Sequence, residues 1–228
     1  MKKILFILLV SVSVLLPQNF SVDNNKDFQK AVNYYNSKKL DDALNLFKKI
    51  AARTENNTKI TASAFFVSKI LVEQKKYSEA EKSANNFLKD YPQSKFADEV
   101  KNLLIKSYVD KSDFVNAFES CLNFIESSTS IVFKNETKLL ANNIALNNLN
   151  SSAVEQQLNK HPELEPFLLL LNGKILLAEG DNKDALEKFN EITSKYTSSD
   201  EYVEALNLKK ANTNSQLDSA YPVVGVLL

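Results

Sequence analysis

Few side chains in this sequence are equipped to do chemistry. There is one histidine, His161, in the helix-stopping run Lys160-His161-Pro162, and one cysteine, Cys121. A single histidine, with no G-x-S-x-G stretch beside a serine, leaves a Ser-His-Asp arrangement almost without material. One cysteine and one histidine also exclude a disulfide framework and a Cys/His zinc cage. Carboxylate pairs such as Asp41 and Asp42 are plentiful, but at exposed helix starts they read as solvated caps, not as a general acid and base. Three glycines among 228 residues cannot supply a Gly-rich phosphate loop. His161 is expected to be structural or solvated and Cys121 a small buried hydrophobe. The chain is therefore read as a non-enzyme, with no catalytic residue, no metal ligand and no cofactor.

The elements left to position anything are helices. Three glycines and five prolines are too few for the turns of a sandwich or barrel. The 28 basic and 28 acidic residues balance to a formal charge of zero, which removes the basic surface of a nucleic-acid binder. At the N-terminus, Lys2 and Lys3 precede the apolar run Ile4–Leu16, broken only by Ser11 and Ser13. As a helix that run is about 20 Å long, against roughly 30 Å for a bilayer core. It reads as a secretory signal peptide over residues 1–21, cut near Ser21, and no cysteine nearby marks a lipoprotein. Abundant asparagine without disulfides points to a bacterial periplasm, or secretion, with no stable membrane span after cleavage.

A repeat organises the next 190 or so residues. Leu40-Asp41-Asp42-Ala43 aligns with Tyr77-Ser78-Glu79-Ala80, Phe114-Val115-Asn116-Ala117 and Asn182-Lys183-Asp184-Ala185. Each opens a helix with alanine in fourth place, at spacings of 37, 37 and 68. The last interval is two periods, with Ala153 expected to fill the missing place. Helices approach to about 8–10 Å only where the crossing side chains are small, so each alanine marks where a helix meets its partner. Ser94 before Ala97-Asp98-Glu99, and Ser78 with Glu81, have the spacing of N-terminal caps.

Each hairpin resembles a tetratricopeptide repeat (TPR), in which a small residue lies on helix A, another on helix B, and an aromatic near each. Ala31, Tyr34, Ala43 and Phe47 supply these in the first repeat, Ser68, Tyr77 and Ala80 in the second, and Gly173, Ala185 and Phe189 in the fifth. The third has Ile105 at the small position, and the fourth matches least. The stretch Tyr91-Pro92-Gln93-Ser94-Lys95-Phe96-Ala97 is similar to the inter-repeat junction of bacterial envelope TPR proteins. The resemblance implies an all-α, right-handed α-solenoid of about five hairpins over residues 22–215, capped by a sixth helix near Asp200–Asn214. It also implies that a protein or peptide ligand lies in a concave groove lined by the A helices. The groove positions then hold Val32, Lys69, Lys106, Asn142 and Lys174, with Phe65 and Phe167 as an apolar floor. Lys69, Lys106 and Lys174 in register would form a positive ladder for an acidic tail or a carboxyl terminus, unless they merely snorkel.

Residues 216–228 change character. Tyr221-Pro222-Val223-Val224-Gly225-Val226-Leu227-Leu228 is β-branched and apolar, like a buried parallel strand. It is similar to the opening strand of type 1 periplasmic binding proteins, and the combination resembles the periplasmic activators of penicillin-binding proteins. The expectation is a linker and the first strand of a further domain; an extended tail on the last hairpin is the alternative. The function expected is a protein-interaction module of the envelope. The rival expectations are an accessory region of a substrate-binding receptor and a stand-alone assembly or cell-division scaffold.

Replacing Ala80 with leucine should overpack the helix crossing and cost on the order of 1–3 kcal/mol. An unchanged melting temperature for Ala80→Leu would refute the repeat register.

Overall fold

The turns inside the hairpins explain the period. In the computed structural model, which describes residues 26–53 and 58–220, Lys38, Lys75 and Ser112 lie 37 residues apart and share a left-handed backbone, with φ of 58°, 57° and 61°. Each follows a helix and precedes another. The helices are α1 (Lys26–Asn36), α2 (Leu40–Ala51), α3 (Thr58–Glu73), α4 (Tyr77–Asp90), α5 (Ala97–Asp110) and α6 (Phe114–Ser127). Then come α7 (Ile131–Asn148), α8 (Ser151–Leu158), a 3-10 turn at Pro162–Leu164, α9 (Glu165–Glu179), α10 (Asn182–Lys195) and α11 (Tyr202–Ala220). The signal-peptide residues and the Tyr221–Leu228 segment lie outside the described residues. The sixth-helix expectation needs one change, because α11 continues to Ala220 through residues read as linker.

Each left-handed residue closes a Schellman motif that satisfies orphan carbonyls at the helix end. Lys39 N–H donates to Tyr34 O at 2.9 Å and Lys38 N–H to Tyr35 O at 3.0 Å. The same pair of bonds recurs from Lys76 and Lys75, from Asp113 and Ser112, and from Asp181 and Gly180. Gly180, at φ 90°, takes this position in the last of these turns, and it does so without steric cost. The next helix starts at once. Asp113 and Asp181 accept from Asn116 N–H and Asp184 N–H. Lys39 and Lys76 hold the same place without a side-chain cap. Ser78 therefore lies inside α4 and is not its cap, whereas Ser94 Oγ does accept from Phe96 N–H at 3.2 Å, in the turn before α5.

Apart from α7 and α8, consecutive helices pack on each other in an all-α, hairpin-built solenoid without strands among the described residues. The first helix of each pair is an A helix (α1, α3, α5, α7, α9) and the second a B helix; α3 also packs on α5, and α7 on α9. The crossing alanines Ala43, Ala80, Ala117 and Ala185 are 0–1% exposed. Side-chain sizes are reciprocal at equivalent places across three of the close hairpins, while the second, with Ser68 and Ala84, is small on both sides. Helix A carries Ala31, Ser68, Ile105 and Gly173, and helix B carries Phe47, Ala84, Cys121 and Phe189, all buried. Gly173 shows why, since a Cβ there would sit 2.5 Å from Phe189 Cε1. Ile105 is thus no defect, because Cys121 leaves room where other repeats place a ring.

The fourth unit departs from this plan. Val154, not Ala153, is the fourth residue of α8 and is fully buried, while Ala153 is partly exposed. The alanine register misled because α7 runs seven residues past its small buried Ala141, against five past Ser68 in α3. The turn has no left-handed residue; Leu149 is extended at φ −111°, ψ 158°. As a result α7 and α8 barely touch: α7 packs on α6 and α9, and α8 on α9. The helix that reconciles these contacts is α9, whose run Phe167–Leu171 is buried on every side.

Lys38→Gly and Lys75→Gly should each stabilise the fold by about 0.5–1 kcal/mol, since glycine removes the penalty of a left-handed lysine. Gly180→Ala should cost about 1 kcal/mol. Chemical denaturation checks both signs, and a destabilised Lys75→Gly would refute this turn geometry.

Candidate functional site

The residues read as a groove sit on the A helices, and each of the three lysines is paired with a carboxylate. Lys69 Nζ lies 3.5 Å from Glu99 Oε1 of α5, and Lys174 Nζ lies 2.5 Å from Glu204 Oε1 of α11. Both acids stand 30 residues after their lysine, so these are one inter-repeat tie made twice. Lys106 pairs within its own helix, with Asp110 Oδ2 at 3.0 Å. Partly exposed pairs of this kind contribute roughly 0.2–1 kcal/mol each. Their larger effect is on function: every lysine of the expected ladder faces a carboxylate, which cancels the positive field an acidic tail would need.

The expected floor is also absent from the surface. Phe65 is 1% exposed and stacks on Phe96, with centroids 4.8 Å apart and planes 7° from parallel. Lys69 Nζ sits 5.4 Å from the same ring. Phe167 is buried under Lys138, whose Nζ is 5.3 Å from the ring centroid and 3.1 Å from Glu201 Oε1. Both phenylalanines hold successive A helices together. They lie in different repeats and are not brought into one site.

Asn142 has different neighbours. On α7, Val132, Leu139 and Leu146 are 60%, 64% and 41% exposed, and Ile131 is 67% exposed. Seven-residue spacing returns to nearly the same side of a helix, drifting only about 20° per step. Asn142 falls three residues after Leu139 and four before Leu146, so it lies in the same row. Thr137, Ala141, Ile144 and Ala145 form the buried stripe on the opposite side. The outer face of α7 thus carries exposed apolar side chains over some 20 Å of its length. Asn135, Glu136, Asn142 and Asn143 stand on the same side between them, so the three apolar side chains are spaced about 10 Å apart along the helix. The spacing carried a signal that the repeat alignment hid, because α7 has two apolar stripes and only one can face the core.

The remaining candidates for chemistry are structural. His161 is 3% exposed, and its Nδ1 lies 2.9 Å from Glu126 Oε2, pinning the 3-10 turn to α6. Burial pushes the Cys121 thiol up to about 12, which keeps it protonated and unreactive at neutral pH. Tyr108, pushed up to about 12 by burial and by its bond to Glu81, ties α5 to α4. No group of three or more His, Cys, Asp or Glu side chains among the described residues is arranged to hold a metal ion. No described helix is long and apolar enough to cross a membrane. Neither a protein-family model nor a curated protein matches the chain.

Because the α7 row is outside the core, Leu139→Gln and Val132→Thr should change stability by no more than about 0.5 kcal/mol. Leu171→Ala, in the buried centre of α9, should cost about 2–5 kcal/mol. A large loss for Leu139→Gln in urea melts would show that the row is packed in the native protein.

Proposed function

We propose that the chain is a TPR-like adaptor of the bacterial envelope that binds a protein or peptide partner along the outer row of its A helices, centred on α7. The observation that carries this reading is the uncovered row Val132, Leu139 and Leu146 on a helix whose opposite face is fully buried. A partner that presents an amphipathic helix or strand would bury these side chains, at roughly 25 cal/mol for each Å² of apolar surface removed from water. The period-37 hairpins with small crossing residues support the TPR comparison. Lys2, Lys3 and the apolar run after them support export. A role in regulating cell-wall synthesis, as in activators of penicillin-binding proteins, rests on the hairpins together with the segment Tyr221–Leu228.

A photo-reactive phenylalanine analogue placed at Leu139, in cells that make the protein natively, should yield one discrete cross-linked protein on irradiation. It should fractionate with the envelope. The same analogue at Lys82, exposed on the B helix α4, should yield none. Absence of an adduct at Leu139, or equal adducts at both positions, would contradict the assignment of this face.

A further inference from the structure

The outer face of α7 matches itself when the helix is turned end for end. Val132 and Leu146 stand seven residues either side of Leu139. Both fall within about 20° of Leu139 around the helix, each about 10 Å from it along the axis. Between them, Asn135 and Asn143 stand four residues either side of Leu139, and Glu136 and Asn142 three. Against a second α7 running antiparallel, with a two-fold axis at Leu139, Leu139 meets its own copy. Val132 of each molecule then faces Leu146 of the other.

The polar side chains between the apolar ones match as well. Asn135 faces Asn143, two amides that can each donate and accept. Glu136 faces Asn142, a carboxylate opposite an N–H donor. No like charges oppose each other, and antiparallel helices set their dipoles favourably. Lys134 and Lys138 lie about 100° or more from Leu139, and Lys138 is held by Glu201. Glu136 is the one charged side chain within about 80° of Leu139. So nearly neutral a face offers no cation to an anionic lipid surface or an acidic peptide, and a lone carboxylate to a basic one. Seven-residue spacing is that of a helix meeting a helix, because it keeps a seam in register from one heptad to the next.

Building on the reading of α7 as the partner-binding face, we propose that its partner is a second copy of the chain, α7 against α7, antiparallel about Leu139. α7 has 18 residues, about 27 Å of helix. One helix pair of that length covers less than the roughly 1,200–2,000 Å² of a stable complex. The dimer is accordingly weak, with a dissociation constant above about 10 µM, and at lower concentrations the face is open. The amide pairs cost affinity and fix the register, as an asparagine does within a coiled-coil seam.

Engineered cysteines read that register, because the native Cys121 is buried. The protein is purified as cells process it and mildly oxidised at about 0.5 mM, well above the expected dissociation constant. Leu139→Cys should form a disulfide-linked dimer at least tenfold faster than Lys82→Cys, which is exposed on α4. Val132→Cys and Leu146→Cys should each stay monomeric alone, their own copies lying about 20 Å apart, and should join when mixed. Sedimentation equilibrium should show a reversible dimer that Leu139→Glu abolishes without lowering the melting temperature. A monomer at that concentration, equal rates at positions 139 and 82, or Val132→Cys and Leu146→Cys joining as fast alone as mixed would each overturn the proposal. The in-cell adduct at Leu139 separates it from the wider reading. An adduct of twice the chain's mass supports both; a different protein in the adduct overturns the second copy and leaves the adaptor; no adduct overturns both.

Discussion

The structure depends on one steric constraint, the close crossing of the two helices in each hairpin. Gly173 against Phe189 shows its tightness, since not even a methyl group fits on the glycine without moving the ring. Where the B helix carries phenylalanine, the A helix carries glycine or alanine. Where the A helix carries isoleucine, the B helix carries cysteine. The second hairpin pairs Ser68 with Ala84, so the constraint is an upper limit on the sum of two sizes, not on either residue alone, which is why the repeat looks degenerate when each column is read separately. Interiors packed to crystal-like density enforce such a limit because they do not tolerate overlap.

From that constraint follow the turn and the period. Two helices crossing so closely must be joined by a short connection, and a Schellman motif with one left-handed residue provides it. The first three turns use lysine, lysine and serine there, side chains that pay a modest strain to keep the geometry. The fourth unit gives up both the left-handed residue and the close crossing. Its two helices separate, and each finds other neighbours. The same unit carries the exposed Val132, Leu139 and Leu146 on the outer face of α7. The departure from the repeat and the exposed apolar side chains thus fall in one unit, the kind of place where local rules are broken.

Most of the architecture was legible in the amino-acid order, because alanine at a fixed place in four helices has few causes other than a helix crossing. Gly180 announced its turn, whereas Lys38, Lys75 and Ser112 concealed theirs, since lysine and serine carry no signal for positive φ. Ala153 was misplaced by one residue because an extension of α7 cannot be seen when register is counted from a single column. Lys69 and Lys174 are where the repeat puts them, yet Glu99 and Glu204, 30 residues further on, neutralise them. Charge partners in a solenoid come from the next repeat, so a ladder of one sign must be checked against the acids one unit away. The apolar row on α7 was visible as heptad spacing. It was overlooked because apolar residues in a helix are assigned to the core by default.

The central claim is that Leu139 and its row face solvent in the folded protein. The chain itself offers a direct test, because its only cysteine, Cys121, is buried with a thiol held protonated. The native protein should be silent to Ellman's reagent, while Leu139→Cys should react completely at the rate of a small free thiol, with the melting temperature unchanged. A Leu139→Cys protein that reacts only after denaturation would contradict the account, because the row would then be part of the core or already covered.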